Sequence, residues 1–525
     1  MLWKISPKKS DDIIEQLMIN RNLTLKEDQE KFFNPKLTCF EKDLDIPGIK
    51  KAQQRILKAI KENELILIFG DYDVDGICGS AILYKALTSL GAKVLPYIPH
   101  REKEGYGLSK LGLEFARDSG ASLVITVDNG IVALNQAEFA KELGLDLIIT
   151  DHHLPLDKKP DAYETVHSTK MCGAAVGWCL IRDIIKKELA HDLLQFVALA
   201  TVCDVMPLLE LNRAFLVEGL KVLNRTTNFG LLALINQASI SLGEISTYEV
   251  GHILGPRLNA MGRLEHAIDS LRLLCTKDPQ KANRLAKLLS ETNTTRQEMT
   301  LNSLEQAKTL IDKSKKIHVL AHSEWSAGII GLIAGRIADE YYRPAIAISI
   351  GQEVSKGSAR SIDGINIVEV IRKCSDILID VGGHPGAAGF SIKTKHIEIF
   401  KRKVEEYVVD LPQTEPVLQI DAQINVIQIT KRLVEQIKKF EPFGFKNPRP
   451  VFVTRNPAVS DIRTVGDGKH LKCKVNGFDA IAFGMGEMQN MLQNQRIIDL
   501  AFTPEIDTYN GFEKIQLKVK DIKLS

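Results

Sequence analysis

The sequence lacks several features that would assign it at once to a common class. Its eight cysteines are scattered with no C-x-x-C pair, which argues against a zinc ribbon or a disulfide framework. No apolar run reaches the roughly 18–20 residues of a membrane helix. The start of the chain, Met1–Lys9, has no apolar stretch typical of a secretory signal, so we expect a cytoplasmic protein without membrane contact. The net charge is only +2, so bulk charge does not indicate nucleic-acid binding.

Three common catalytic motifs are also absent. The sequence contains no G-x-x-x-x-G-K-[ST], no H-E-x-x-H and no G-x-S-x-G, so nothing supports a P-loop ATPase, a zincin or an α/β-hydrolase. What is present is an ordinary composition, 44% hydrophobic and 26% charged. The length of 525 residues suits three or four domains.

The apolar pattern predicts an α/β protein with five consecutive parts. Residues 1–60 are read as an N-terminal helical segment, and residues 61–279 as a domain in which short apolar runs alternate with helices around a parallel sheet. Residues 280–316 lack Pro and Gly and carry a thin apolar stripe, which suits a helix that connects two domains. A second α/β domain is predicted at 317–411, and a small β-barrel at 412–525. The apolar runs of the first domain are Leu65–Phe69, Val94–Ile98, Leu123–Val127 and Leu147–Thr150.

Acidic residues and histidines follow these runs. Asp71, Asp73 and Asp75 come after the first run, Asp128 after the third and Asp151-His152-His153 after the fourth, while a predicted helix at 192–203 leads to Asp204. Parallel strands present their carboxyl ends at one edge of a sheet, so these side chains should meet in one crevice. Clustered carboxylates repel one another unless a cation neutralises them. Oxygen ligands with an imidazole suit Mn²⁺ or Mg²⁺, and a bridging carboxylate such as Asp128 can hold two ions about 3.5–4 Å apart.

Simpler interpretations exist for each residue alone. A single Asp after a strand is usually a turn residue or a helix N-cap, and a His-His pair is usually a surface or capping pair. The segment Asp71–Gly76 also resembles the start of a calcium loop, but Ile82 stands where an EF-hand needs Glu. The joint occurrence at several strand ends favours the metal site.

Taken together, these residues resemble a known family. Asp73-Val74-Asp75-Gly76, Asp128, Asp151-His152-His153 and Asp204 resemble the ordered motifs of the DHH phosphoesterases. Further segments are similar to the RecJ family of bacterial exonucleases, and the resemblance covers nearly the whole chain in order. These segments are Gly255–Leu264, Lys356–Ser361, Gly382–Phe390 and Pro442–Pro448.

The resemblance implies a DHH domain, a connecting helix, a DHHA1 domain and an OB-fold. It implies an exonuclease of DNA repair and recombination that degrades single-stranded DNA from 5′ to 3′ into mononucleotides with two Mn²⁺ or Mg²⁺ ions. Single-strand-binding protein and a helicase are its implied partners, and a monomer its implied state. The implied metal ligands are Asp71, Asp73, Asp75, Asp128, His152 and Asp204. Asp75 and Asp128 are also assigned to catalysis, and His153 would orient the site or stabilise the scissile phosphate.

Recognition of a 5′-phosphate requires fixed hydrogen-bond donors. The resemblance places this pocket among Arg101, Tyr106, Arg257, Ser358, Arg360, Gly383 and His384. Without it, the Gly382–Gly389 segment is interpreted as a tight turn, and Arg101 and Arg257 as members of surface ion pairs. In the barrel, Arg463, Lys469, Lys472 and Lys474 are candidate strand contacts, with a solvated strand face as the equal alternative. Phe443, Phe445 and Phe452 are stacking candidates, although aromatic side chains there are more often core. The segment Tyr509–Phe512 lacks the Trp expected in many relatives.

Three other functions share parts of this pattern. A DHH/DHHA1 phosphodiesterase of short oligonucleotides or cyclic dinucleotides would not need the barrel or the N-terminal segment. A non-catalytic single-strand-binding scaffold would not need a complete set of metal ligands. An inorganic pyrophosphatase would share the DHH motifs without Gly382–Phe390 or the barrel.

Overall fold

The computed structural model describes residues 1–408, 415–494, 498–507 and 512–524. The backbone divides into two compact units. Unit 1 contains Met1–Cys39, Pro207–Ala214 and Glu415–Ser525, and unit 2 contains Phe40–Met206 and Phe215–Thr414. Within the described ranges, no helix has both the length and the apolar character that a membrane span requires. The division into five consecutive segments stays a prediction.

Strands and helices alternate between residues 65 and 151, and helices alone occupy residues 173–275. The strands are β1 (Leu2–Ile5), β2 (Leu65–Phe69), β3 (Lys93–Tyr97), β4 (Ala121–Val127), β5 (Asp146–Asp151) and β6 (Glu164–His167). The helices are α1 (Ile13–Asn20), α2 (Lys26–Phe33), α3 (Glu41–Leu44), α4 (Ile49–Lys61), α5 (Val74–Ser89), α6 (Lys110–Asp118), α7 (Leu134–Glu142), α8 (Gly173–Ile181), α9 (Lys187–Asp192), α10 (Leu194–Cys203), α11 (Glu210–Leu223), α12 (Phe229–Gln237), α13 (Thr247–Glu249), α14 (Gly255–Leu264) and α15 (Ile268–Cys275). A π-helical turn, Val250–Leu254, joins α13 to α14.

The connecting helix is the longest element of the next segment. It begins at Pro279, after Asp278 accepts hydrogen bonds from two backbone N–H groups, and it ends at Thr309, earlier than the predicted residue 316. The remaining elements up to residue 408 belong to a second α/β layer. This helix and those elements are α16 (Pro279–Thr309), β7 (His318–His322), α17 (Ile330–Tyr341), β8 (Ala345–Ser349), β9 (Val354–Arg360), α18 (Ile367–Arg372), β10 (Leu378–His384), β11 (Ala387–Lys393) and α19 (Ile397–Tyr407).

Short strands dominate the C-terminal segment, as the sequence predicts. These elements are β12 (Val417–Ile420), β13 (Ala422–Gln423), α20 (Lys431–Lys438), β14 (Phe452–Arg455), β15 (Val459–Val465), β16 (His470–Val475), β17 (Phe478–Ala482), α21 (Gln489–Asn494), β18 (Ile498–Asp507) and β19 (Lys514–Leu524). Of the Tyr509–Phe512 segment, only Phe512 lies within the described residues.

The first sheet of unit 2 has the order β3-β2-β4-β5-β6, and all its pairs are parallel. Its central strands are continuous apolar runs because helices cover both faces. On one face, Leu67, Val124 and Ile149 pack with the apolar side chains of α6 and α7. All the strands therefore end at one edge, where the polar residues of the next subsection lie.

The second sheet of unit 2 has the order β10-β11-β9-β8-β7. Gly382 pairs with Gly389, and Gly389 with Ser358, so the row has only very small side chains on β10, β11 and β9. In a nearby row, His384 pairs with Ala387, which pairs with Arg360. Gly383, near the end of β10, has φ +141°, and a Cβ there would lie 2.3 Å from the carbonyl oxygen of Ala387, so the turn requires glycine.

Unit 1 contains a seven-stranded sheet in the order β13-β14-β18-β19-β17-β16-β15. A separate parallel pair joins β1 to β12. Arg213 is 1% exposed and stands over the ring of Phe32 at 3.8 Å. Its guanidinium donates hydrogen bonds to the backbone carbonyls of Phe32, Phe440 and Glu441, which ties the N-terminal helices to the C-terminal segment. The predicted fold class is confirmed.

Candidate active site

The acidic residues predicted from the sequence meet at the carboxyl edge of the parallel sheet. They follow β2, β4 and β5, and Asp204 is the residue that ends α10. Asp71, Asp75 and Asp128 are each only 2% exposed. The six predicted metal ligands that this edge brings together are Asp71, Asp73, Asp75, Asp128, His152 and Asp204.

His152 lies at the centre of this cluster. Its Nε2 atom is 3.2 Å from Asp128 Oδ1 and 3.6 Å from both Asp75 Oδ2 and Asp204 Oδ2. In each of three sets, the ligand atoms lie within 4.8 Å of one another. The sets are Asp75 with His152 and Asp204, Asp71 with Asp73 and Asp128, and Asp128 with His152 and His153.

The electrostatics of the cluster call for a cation. Burial, together with the charges of neighbouring carboxylates, raises the pKa of Asp71 and of Asp128 well above the ordinary value. The same causes raise the pKa of Asp204 to about 9. Burial lowers the pKa of His152, which favours the neutral ring that a metal ligand needs.

Several candidate metal-ligand atoms of the cluster also lack hydrogen-bond partners. Asp71 Oδ1, Asp128 Oδ1 and His152 Nε2 are buried and have no hydrogen-bond partner among the described residues. Buried polar atoms normally have partners, so this set of carboxylate oxygens and one imidazole nitrogen fits a divalent cation such as Mn²⁺ or Mg²⁺.

Two helix N-termini hold two of the carboxylates. Asp73 is the N-cap of α5, and its Oδ1 accepts hydrogen bonds from the N–H groups of Asp75 and Gly76 at 2.9 and 3.2 Å. Asp75 accepts from the first two N–H groups of α8, those of Gly173 and Ala174, at 2.7 Å each. Backbone N–H groups at the two helix N-termini therefore fix the orientation of both carboxylates.

Asp151 differs from the other acids of the cluster. Its oxygens accept from the N–H groups of Ile131 and His152 at 2.8 and 2.7 Å, and Oδ1 lies 2.8 Å from His153 Nδ1. Burial alone would lower the pKa of His153, but the hydrogen bond and the charge of Asp151 raise it. Asp151 thus orients His153. The sequence alone predicts no separate role for Asp151.

Tyr106 reaches this pair from the loop after β3. Its hydroxyl lies 3.1 Å from the His153 ring nitrogens and 3.2 Å from the carbonyl oxygen of Asp128. On the same loop, the Arg101 guanidinium lies over the Tyr72 ring at 5.0 Å. Both residues predicted from this loop therefore stand beside the acidic cluster.

A cavity of about 550 Å³ separates the two sheets of unit 2. Tyr72, Arg101 and Tyr106 line it from the first domain, and Ser358 with the start of α17 from the second. A Cβ on Gly331 would lie 3.1 Å from Ser358 Oγ and 3.4 Å from Arg360 Nη2, so this glycine lets α17 approach both residues. Arg101, Tyr106 and Ser358 therefore line one cleft, and Arg360 lies beside it, next to Gly331.

Helix α14 carries two arginines, Arg257 and Arg263, which have different surroundings. Arg257 Nη1 donates to the carbonyl oxygen of Ile253 on its own helical segment, and Arg257 is not among the residues that line the cleft. Arg263, further along the same helix, lines a smaller cavity of about 310 Å³ with Asp71 and Asp73. Burial and the charges of Arg101, Arg296 and Arg360 lower the pKa of Arg263 to about 10. The sequence signal for Arg263 is its place in the Gly255–Leu264 motif, but the motif does not say which arginine faces the cleft.

Asn259 on the same helix supports the first acidic turn. Its Oδ1 accepts a hydrogen bond from the N–H of Val74 at 3.0 Å, and a Cβ on Gly262 would lie 2.5 Å from the carbonyl oxygen of Tyr72. The turn that carries Asp71, Asp73 and Asp75 is therefore held against α14.

Comparisons with known proteins agree with this geometry. The model of the DHH family N-terminal domain matches residues 65–201, that of the DHHA1 domain matches 314–410, and that of the RecJ OB domain matches 420–521. The chain is 34% identical to the single-stranded-DNA-specific exonuclease RecJ of Bacillus subtilis (strain 168) over 536 residues, which is 98% of this chain and 68% of that protein.

Two solved structures are similar over the whole chain. They are crystal structures of RecJ from Thermus thermophilus in complex with Mn²⁺ and with Mg²⁺, with TM-scores of 0.88 and 0.81 and identities of 27% and 26%. Each comparison covers 100% of this chain, and 80% and 78% of the respective RecJ chains. The resemblance inferred from the motifs is confirmed.

Proposed function

The chain belongs to the RecJ family, and from its site we propose that it is a single-stranded-DNA-specific exonuclease that hydrolyses phosphodiester bonds with Mn²⁺ or Mg²⁺. One observation carries the proposal. The buried cluster around His152 reaches, through Asp71 and Asp73, a cavity that is also lined by Arg101 and Arg263. Arg101 lines the larger cavity as well, together with Ser358, so acidic groups and phosphate donors lie side by side. We place this activity in DNA repair and recombination.

We assign two ions to the two donor sets that share no residue. One set is Asp75, His152 and Asp204, and the other is Asp71, Asp73 and Asp128. Bound divalent cations supply Lewis-acid activation of water and neutralise charge on a phosphodiester. The protein contributes a set of ligands that is already assembled, so little reorganisation is needed when an ion binds.

His153 and Tyr106 act on the phosphate itself in this proposal. Asp151 raises the pKa of His153, which favours the protonated ring, and this ring can donate a hydrogen bond to a phosphate oxygen as negative charge develops there. Burial and neighbouring carboxylates raise the pKa of Tyr106, so its hydroxyl keeps its proton and remains a donor. Both groups stabilise the transition state without becoming covalently modified.

We infer the 5′-to-3′ direction of digestion from the arginines on one side of the cleft. Arg101, Arg263 and Arg360 lie close enough for their charges to act on one another, and burial with the charge of Arg101 lowers the pKa of Arg360. Crowded guanidinium groups favour an anion between them. We therefore place the 5′-phosphate beside Arg101, Arg263, Ser358 and Arg360, with Gly383 and His384 at its edge, and attack occurs at the next phosphodiester.

The C-terminal sheet supplies a face suited to single-stranded DNA. On β16 the outward residues His470, Lys472 and Lys474 alternate with buried Leu471 and Cys473. Lys472 stands opposite Arg463 on β15 and Ile481 on β17, and Ile481 stands opposite Lys518 on β19. Three of the four strands in this row therefore carry a cation.

An exposed aromatic ring lies next to this row. Phe483 is 57% exposed and packs edge-on against His470 with ring centroids 5.2 Å apart. Charge for the backbone and a ring for base stacking are the two elements of sequence-independent strand binding. We propose that this face grips the single strand, and that single-strand-binding protein and a helicase assist the enzyme, which acts as a cytoplasmic monomer.

The test is digestion of a single-stranded 40-mer labelled at either end, with Mn²⁺ present. Mononucleotides released first from the 5′ label support the proposal, whereas first release from the 3′ label reverses the assigned polarity. A matched duplex, a dinucleotide and pyrophosphate serve as alternative substrates. Faster turnover of the dinucleotide or of pyrophosphate than of the 40-mer would contradict the assignment.

A further inference from the structure

Gly173 lies between two of the carboxylates that we assign to different metal ions. It is the first residue of α8, and its N–H donates to Asp75 Oδ2 at 2.7 Å. A Cβ on Gly173 would lie 2.6 Å from Asp128 Cβ and 2.7 Å from Asp128 Oδ1. The same residue therefore holds one carboxylate by its backbone and leaves room for the other by lacking a side chain.

The close approach of Asp128, and not the backbone conformation, explains why residue 173 is glycine. Gly173 is helical and does not have the positive φ that favours glycine, so alanine suits its backbone. Asp128, by contrast, has φ +64°, and its backbone is fixed where the N–H of Asp128 donates to the carbonyl oxygen of Thr150 at 3.0 Å. Its Cβ is joined directly to that backbone, so Asp128 cannot rotate away from an added methyl group.

The hydrogen bonds that hold the Asp75 carboxylate are equally fixed. The N–H groups of Gly173 and Ala174 each take one carboxylate oxygen, and Asp75 is buried, so water cannot replace either hydrogen bond. An added methyl group at position 173 must therefore either push Asp128 outward or pull the start of α8 away from Asp75. Both movements change the separation of the two carboxylates.

We propose that Gly173 is a positioning residue that sets the distance between Asp75 and Asp128 and thereby permits Mg²⁺ to serve as the cofactor. The inference rests on the proposed metal assignment. Mg²⁺ requires a near-ideal octahedron of oxygens at about 2.0–2.1 Å. The larger Mn²⁺ ion tolerates longer and less regular bonds, so a change in carboxylate spacing weakens Mg²⁺ binding first.

The experiment compares wild type with Gly173→Ala and a matched control, Gly177→Ala. Gly177 lies one turn later on α8, and its added Cβ would be 3.3 Å from Val127 Cγ2, so it introduces a buried methyl group that does not touch a carboxylate. Mn²⁺ binding is measured without DNA by electron paramagnetic resonance. The ratio of Mg²⁺-supported to Mn²⁺-supported exonuclease rates and thermal unfolding of the metal-free proteins are measured alongside.

For Gly173→Ala we expect Mn²⁺ affinity to fall about 10–100-fold, as is typical when a group that orients a metal ligand is disturbed. The rate ratio should fall at least about tenfold, since Mg²⁺ is the more demanding ion. Gly177→Ala should retain both values. Wild-type values for Gly173→Ala, or equal losses in both variants, would overturn the inference. If wild type itself binds no Mn²⁺, the proposed metal site fails instead.

A second variant covers the case in which Gly173→Ala does not fold. Ala174→Pro places proline in the first turn of α8, where it is tolerated, and removes the N–H that donates to Asp75 Oδ1. We expect weaker Mn²⁺ binding and the same bias against Mg²⁺. Unchanged binding and an unchanged ratio in a folded Ala174→Pro protein would contradict the positioning of Asp75 by α8.

Discussion

The imidazole rings of His153 and His384 lie almost parallel, with centroids 6.4 Å apart and an angle of 10° between the ring planes. His153 follows β5 of the first sheet of unit 2 and His384 ends β10 of the second, so the pair bridges the two layers beside the proposed phosphate pocket. We expect His384→Ala to raise KM for single-stranded DNA about tenfold, which corresponds to about 1.4 kcal/mol. His384 is exposed, so the melting temperature should not change. His384→Phe keeps a planar ring and should restore part of the loss, and a wild-type KM for His384→Ala would exclude a substrate contact.

Asp128→Asn should separate activity from stability. We expect turnover to fall at least about 1000-fold and Mn²⁺ binding to weaken, because a neutral amide cannot replace a carboxylate ligand. The metal-free protein should become more stable by about 1–2 kcal/mol, since Asn removes the cost of protonating a buried carboxyl group whose pKa is raised by its surroundings. Chemical unfolding with and without Mn²⁺ measures both effects. A metal-free protein that is destabilised by this substitution would contradict the electrostatic account of the cluster.

Arg360→Ala should impair 5′-phosphorylated ends selectively. Loss of a charged hydrogen bond to the terminal phosphate is worth about 1.5–3 kcal/mol, so KM should rise roughly 10–100-fold for 5′-phosphate substrates and far less for 5′-hydroxyl substrates. Steady-state rates on the two kinds of oligonucleotide provide the measurement. Equal effects on both ends would remove Arg360 from the pocket. Arg257→Ala in the same assay tests the arginine that the sequence predicts, and a selective effect there would restore it.

The double variant Arg463→Ala and Lys472→Ala should weaken binding of long oligonucleotides. Each lost phosphate contact should reduce the slope of log K against log salt by about 0.7, so we expect a total reduction of about 1.4. Binding is measured with a 40-mer in the absence of Mn²⁺ and Mg²⁺, so that no digestion occurs. Lys431→Ala is the control, because Lys431 is an exposed lysine of unit 1 paired with Glu513. An unchanged slope in the double variant would leave the sheet face without a role in strand binding.

His318 should make the stability of the protein sensitive to mild acid. The side chain is 3% exposed, and burial together with the charge of Arg343 lowers its pKa. The folded state then binds fewer protons than the unfolded state below the unfolded pKa of about 6.5. The free energy of unfolding therefore falls as the pH drops through about 6.5 and below, by up to about 1.4 kcal/mol per pH unit.

His318→Phe supplies the comparison for this pH dependence. Phenylalanine keeps a ring against Tyr341, whose centroid lies 5.4 Å from that of His318, and it cannot be protonated. Unfolding measured between pH 7.5 and 5 should show a smaller loss of stability for this variant. Parallel curves for the two proteins would mean that His318 contributes nothing to the acid sensitivity.

The acidic cluster could be predicted because parallel strands send their next residues to one edge. The strands β2, β4 and β5 begin and end within two residues of the predicted runs, and this is enough to bring Asp75, Asp128 and His152 together. The distinct role of Asp151 could not be predicted, since it depends on which backbone N–H groups point at its oxygens. In the sequence, Asp151 resembles the aspartates predicted as metal ligands, because it too is an Asp at the end of a strand.

The choice between Arg257 and Arg263 depends on helix phase. They are six residues apart on α14, so their side chains point about 120° apart around the helix axis. The stacking candidates divide in a similar way. Phe452 is fully buried and Phe443 is 9% exposed, whereas Phe445 is half exposed beside Lys446. Burial of a single aromatic residue in a short-strand region is set by distant packing.

The pairing of β1 with β12 has a consequence for synthesis of the chain on the ribosome. Trp3 stands opposite Leu418, so the first strand has no partner until more than four hundred residues have been translated. Unit 2 can bury its sheets before the C-terminal segment exists. Until then the apolar side chains of the N-terminal helices lack the C-terminal side chains with which they form a core. During synthesis the nascent chain therefore passes through a stage in which unit 2 can already be folded while β1 has no partner strand. An unpaired strand edge of this kind is prone to aggregation.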